Sequence, residues 1–107
     1  MDEVNSHTSS TVTADFTDEK KAPATPTSAR YRIDDEKSGT AIKGWTPITI
    51  TGTSADIEIS RTENDMQDTN AAEEVRVVTV DWTYGAGKGG DSEYRYSLKN
   101  IKGSLKT

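Results

Sequence analysis

The chain has no cysteine in its 107 residues. That excludes a disulfide framework, a thiolate zinc site and a cysteine nucleophile. It leaves a small domain to be stabilised by its own core or by packing into something larger. Histidine is almost as scarce: His7 is the single one, in a polar stretch with nothing nearby to orient it as a general base. No serine sits in a G-x-S-x-G setting, and no carboxylate has the apolar surroundings that glycosidase acids need. No set of residues meets the role-by-role requirements of an active site. The chain therefore reads as non-enzymatic, with no catalytic residue, no cofactor and no metal.

Long apolar runs are missing too. None approaches the ~18–20 residues that cross a bilayer, so no membrane partner is expected. The opening MDEVNSHTSSTVT lacks the basic and apolar regions of a secretory signal, which points to synthesis in the cytoplasm and, if the protein is exported, to release by another route such as lysis. Cations are outnumbered, 13 Lys and Arg against 18 Asp and Glu, for a net charge of −5. They are also scattered, whereas a protein that tracks a phosphate backbone clusters them; nucleic acid is not an expected partner. The hydrophobic share is 31% and the mean hydropathy −0.79, below the ~45–50% apolar share of an average globule. Part of the chain is unstructured, or its strands show half their residues to water; both fit.

What is present is alternation. Residues 1–26 read as a flexible or extended N-terminal arm, with a weak strand at 11–16 (Val12, Ala14, Phe16) followed by a Pro23/Pro26 linker. From there to residue 103 the pattern is a single β-domain, and 104–107 form a short polar tail. SARYRIDD places Ala29, Tyr31 and Ile33 on one face and Arg30, Arg32 and Asp34 on the other. TAIKGWTPITI carries Ile42, Trp45, Ile48 and Ile50, with Pro47 confining it to an edge. ADIEISR turns Ile57 and Ile59 inward. EVRVVTVDWTYG changes parity between Val77 and Val78, which predicts a bulge there or a strand buried on both faces at its start. SEYRYSLKNI alternates through Tyr94, Tyr96 and Leu98. The stretch TENDMQDTNAAEE holds at most a turn or a short helical piece. About six or seven short strands with turns between them indicate an all-β sandwich. Tyr31/Ile33, Ile57/Ile59, Val80/Trp82 and Tyr96/Leu98 are its expected shared core.

The run Gly85 to Gly90 spells G-x-G-x-x-G, but the alternating DSEYRYSLKNI that follows is a strand. A dinucleotide fingerprint needs a helix there. A P-loop is excluded because Gly89 follows Lys88. The remaining reading is a mobile hairpin loop with glycines at positive φ, whose tip offers a flexible backbone to partners. Asp34-Asp35-Glu36 has the oxygen chemistry of a calcium site without the spacing of a known loop; a solvated turn is the simpler account. The aromatic residues suit a core, except Trp45, which lies beside Gly44 and Pro47 and is placed near the surface.

RYRIDDEKSGTAIKGWTPI, with the later Ile57 to Ile59, Asn64, Val78 to Val80 and Tyr94 to Ile101, resembles small structural proteins encoded among the virion genes of tailed bacteriophages. The resemblance covers roughly residues 28–101. It implies an immunoglobulin-like or fibronectin-III-like sandwich without enzymatic activity, located in the virion as a capsid decoration or a head, neck or tail accessory protein. Its implied partners are other virion proteins (major capsid, neck or tail subunits), met in multiple symmetric copies. The Cys…Trp…Cys core of immunoglobulin domains is absent, so Val80 and Trp82 are expected to fill that place. The candidate interface residues are Val12, Phe16, Trp45, Gly87 and Lys88, with the arm as the docking element. An alternative is a carbohydrate- or host-surface-binding module in which Trp45 meets a glycan.

Overall fold

The structure is a computed structural model that describes residues 2–68, 70–85 and 87–101. Seven strands follow in chain order: β1 (Asp2–Asn5), β2 (Ser10–Asp15), β3 (Ser28–Asp35), β4 (Ala41–Pro47), β5 (Ser54–Ile59), β6 (Glu73–Gly85) and β7 (Lys88–Lys99). One sheet has five strands in the order β1-β7-β6-β3-β4, and the other pairs β2 with β5. β1 runs parallel to β7; the remaining pairs are antiparallel. The molecule is all-β and sandwich-like, with no helix among the described residues.

Period-two alternation accounts for the central strands. β3 buries Ala29, Tyr31 and Ile33 and turns Arg30 outward, with Arg32 and Asp34 half-exposed. β5 buries Ile57 and Ile59 and exposes Asp56 and Glu58. β4 is an edge strand that ends at Pro47, as proline requires. The inward faces meet in one cluster of Ala14, Phe16, Tyr31, Ile33, Ile57, Ile59, Val78, Val80, Trp82 and Tyr96, with Ala29 at its border.

The weak strand expected at 11–16 is present as β2, but residues 2–26 do not stand free as an arm. β1 pairs with the end of β7, β2 pairs with β5, and Ala14 and Phe16 are essentially inaccessible to solvent. Phe16 meets Trp82 edge-on at 5.6 Å, joining the β2 side to β6. Even the proline segment is ordered: the Asp18 carboxylate accepts from Lys20 N and Ala22 N, and Thr17 bridges to Pro23. The expected tail at 104–107 lies outside the described residues.

Of the two forms expected at Val77/Val78, a bulge or burial on both faces, the structure shows the second, with β6 pairing β7 in unbroken register from Glu73 to Thr83. Parity does not switch: the residue on the inward face before Val78 is Arg76, not a valine. Arg76 is fully buried. Its Nη1 donates to Glu63 O (2.8 Å), and its Nη2 to Asp65 O (2.7 Å) and the Glu74 carboxylate (2.8 Å). A buried guanidinium is tolerable only when paired and hydrogen-bonded in this way. Val77 is buried on the opposite face, so the start of β6 is covered on both sides.

The described residues of the segment before β6 form turns and bends, within what the sequence allowed. Asn64 anchors this segment. Its amide donates to Thr8 O and Ser10 Oγ, its carbonyl side chain accepts from Tyr96 Oη (2.7 Å), and its backbone oxygen accepts from His7 N.

The glycine run is a hairpin, as expected, with Gly87 at φ 69 in the turn. Gly89 and Gly90, however, belong to β7 and answer to Trp82. A Cβ on Gly90 would lie 2.7 Å from the indole, and one on Gly89 would lie 2.1 Å from the Trp82 carbonyl oxygen.

Candidate binding surface

Across the ladder between β3 and β4, Tyr31 faces Thr46 and Ile33 faces Lys43. Gly44 and Trp45 therefore share the space opposite Arg32, which is the two-against-one count of a β-bulge. The bulge turns the Trp45 side chain onto the outer face of the five-stranded sheet, where it is 41% exposed. The Arg30 guanidinium lies 4.1 Å from the ring centroid and that of Arg32 lies 5.6 Å away. Such cation–π contacts hold an exposed ring in one orientation. The cations are themselves positioned. Arg30 Nε donates to Asp81 on β6 (3.0 Å), and Arg32 forks onto both oxygens of Asp34 (2.9 and 2.8 Å).

Beside the ring runs a groove of about 530 Å³ between Ser28, Arg30, Trp45, Pro47, Asp81 and Thr83. Ser28 and Thr83 share a hydroxyl hydrogen bond at 2.7 Å on its floor. Further along the same row, Asp81 faces Asp91 of β7. Asp91 is held above the usual carboxylate range, chiefly by its hydrogen bond to Asp81, then by desolvation and repulsion from the same neighbour, against an opposing pull from Arg30. A fixed aromatic ring flanked by guanidinium, carboxylate and hydroxyl groups is suited to non-covalent recognition.

A larger cleft of about 890 Å³ opens at one end of the sandwich, between the β3–β4 turn and residues 67–75. Its acids are already engaged. Asp35 accepts from Ser38 N and Oγ, Glu36 pairs with Arg95, Glu73 with Lys99, and Glu74 with Arg76 and two backbone amides. Strand alternation also separates Asp34 from Asp35: the first faces Arg32 outside, the second is buried. No group of three side chains able to hold a metal occurs among the described residues.

The five residues singled out in the sequence do not converge. Trp45 is exposed as expected. Phe16 is core and leaves no surface to dock with. Val12 is half-buried on β2, in the other sheet. Gly87 and Lys88 sit at the β6–β7 tip, where Lys88 Nζ pairs with Glu19 at 3.1 Å. Arg30, Arg32 and Asp81 were the partners to add to Trp45, and the outward parity of β3 already carried the signal for the two arginines. No family model, curated protein or solved structure matches the chain.

Proposed function

We propose that this chain is a non-enzymatic, immunoglobulin-like accessory module of a tailed-bacteriophage virion, docking on a neighbouring virion protein through the Trp45 face. The strand order supports the immunoglobulin reading. β7-β6-β3-β4 opposite β2-β5 corresponds to strands G-F-C-C′ opposite B and E of a variable-type sandwich. The Phe16–Trp82 contact links the β2 and β6 sides, as the missing disulfide links strands B and F. The observation that carries the docking role is Trp45 itself, one of two exposed large hydrophobic residues among the described residues and the one braced by two arginines. Trp and Arg dominate the energetic centres of protein interfaces. Repetition on a symmetric particle raises the occupancy of a weak single contact.

The test is quantitative mass spectrometry of purified virions, with copies counted against the major capsid protein. A near-stoichiometric ratio identifies a capsid decoration subunit; about a dozen copies or fewer identifies a neck or tail component. Absence from the particle overturns the proposal. Trp45→Ala should leave the fold intact and lower incorporation.

The Trp45 groove, with its Ser28 and Thr83 hydroxyls, also favours a second reading as a host-surface glycan site. Tryptophan fluorescence separates the two. Trp82 is buried with its indole N–H on Thr17 O, so a quench by glycan that vanishes in Trp45→Ala would select the second reading.

A further inference from the structure

The seam between β7 and β2 holds two rows of unpaired backbone groups, and register assigns them. Asn100 N donates to Ala72 O in the register of the β6–β7 ladder, so the even residues of β7 bond to β6 and the odd residues face away from it. On that far side, β1 covers Tyr96 to Lys99 and Ser6 N donates to Lys99 O. Among the described residues that pairing runs from Asp2 to Asn5. The N–H and C=O groups of Gly89, Asp91 and Glu93 therefore point beyond β1 without a partner among the described residues. Across the seam, Phe16 N donates to Thr53 O in the β2–β5 register. Val12 and Ala14 thus bond to β5, while the backbone groups of Thr11 and Thr13 face the seam. Only Asp15 N is met, by Tyr94 Oη at 3.3 Å. The groove between the rows measures about 530 Å³ and is lined by Asp2, Thr11 to Thr13 and Glu93 to Tyr96.

The other edge of the large sheet is protected, as edge strands in natural proteins usually are. β4 carries its bulge and Pro47. β5 is flanked by the segment from Pro47 to Thr51, whose Ile48 and Ile50 pack on the core. Between Gly89 and Glu93, β7 has neither proline nor bulge. The charge around it is one-sided. Asp2, Asp15 and Asp91 form no ion pair among the described residues, and Glu93 shares Arg95 with Glu36.

We infer that the β7 edge from Gly89 to Glu93 accepts an extended segment of a partner protein in which basic and small apolar side chains alternate. Such a segment adds as a strand of about five residues in line with β1. Its basic side chains lie beside Asp91 and Glu93 on the outer face, and its apolar ones face Val12 and Tyr94 in the groove. A second copy of the chain is the weaker occupant, because it would bring the same acids together. The edge is a property of the fold and holds whether or not the chain belongs to a virion.

The probe is an acetylated, amidated seven-residue peptide alternating Lys or Arg with Val, titrated into the full chain and followed by amide NMR and hydrogen exchange. Saturable binding with new protection at Gly89, Asp91 and Glu93 is the expected result. Glu93→Pro deletes an outward N–H while sparing the bond network to β6, and should weaken binding about tenfold, the scale of one lost hydrogen bond. Should that variant fail to fold, Asp91→Lys with Glu93→Lys serves instead, and should abolish binding through charge. Absence of binding overturns the inference. So does equal binding of a Glu/Val counterpart peptide, a response confined to the Trp45 face, or self-association through this edge in sedimentation of the chain alone.

Discussion

The five-stranded sheet contains four ladders, and β6 is paired along both sides for most of its length. The two-stranded sheet has a single ladder of six residue pairs. Yet the small sheet and the residue that follows it supply Ala14, Phe16, Ile57 and Ile59, all at most 2% exposed. Its place is held by side-chain burial and by loop clamps on Asn64 and Arg76 more than by strand pairing. Backbone hydrogen bonds contribute little net stability each, while burial of a large apolar side chain contributes about 1.5–3 kcal/mol. Two strands suffice where the opposite layer is broad and the connecting loops are tied down.

That contrast is open to attack in order of expected effect. Deleting residues 2–26 removes β1, half of the small sheet and Phe16, and should leave a chain without a cooperative unfolding transition by circular dichroism. A folded truncated product would mean that the large sheet stands alone. Arg76→Ala comes next. It takes the cation from Glu74 and the donors from two loop carbonyls, and should destabilise the fold by about 3–5 kcal/mol in denaturant titration.

Gly90→Ala tests the large sheet from within. Its new methyl group meets the Trp82 indole and should cost about 1–3 kcal/mol by overpacking, whereas Gly52→Ala, with open space around it, should not. Tyr96 supplies a pH test. Burial pushes its phenol up to about 12 from an ordinary 10.0. The fold favours the neutral form, so its contribution is complete below pH 10 and is lost as the pH rises toward 12. Tyr96→Phe should remove that part of the alkaline slope while losing about 1 kcal/mol with the Asn64 hydrogen bond.

The smallest effect is a gain. Because the Asp91 carboxyl is raised in the fold, its ionisation opposes folding at neutral pH. Asp91→Asn should stabilise the chain by a few tenths of a kcal/mol there, since like charges facing each other across strands are destabilising. The gain should vanish as the pH falls below the carboxylate range, where both states are protonated.

The sequence made β3, β5 and β7 easy to read and β1 and β2 hard. Tyr31/Ile33, Ile57/Ile59 and Tyr96/Leu98 alternate openly, and each pair is buried as expected. β1 offers Val4 as its one apolar residue, and β2 offers Val12 and Ala14. The alternation of Val12, Ala14 and Phe16 gave β2 only a weak signal, and β1 is specified by its pairing with β7, which local periodicity does not record. Arg76 misled in the opposite direction. A charged residue at an inward position looks like a parity error until the loop carbonyls that receive it are known. The candidate surface was half legible: the position of Trp45 beside Gly44 and Pro47 pointed outward, but stacking on Arg30 and Arg32 requires the bulge, which follows from register between distant segments.

The parallel pairing of β1 with β7 has a mechanical consequence. Tension applied at the start of β1 and at the end of β7 acts at opposite ends of one short ladder, along the strand axes. It loads the bonds between Asp2–Asn5 and Tyr96–Lys99, and the added contact from Ser6 N to Lys99 O, in shear and all together. A ladder pulled this way resists as a group, whereas a hairpin pulled from its open end yields one bond at a time. The weakest-looking strand of the fold is therefore the one that would carry a stretching force.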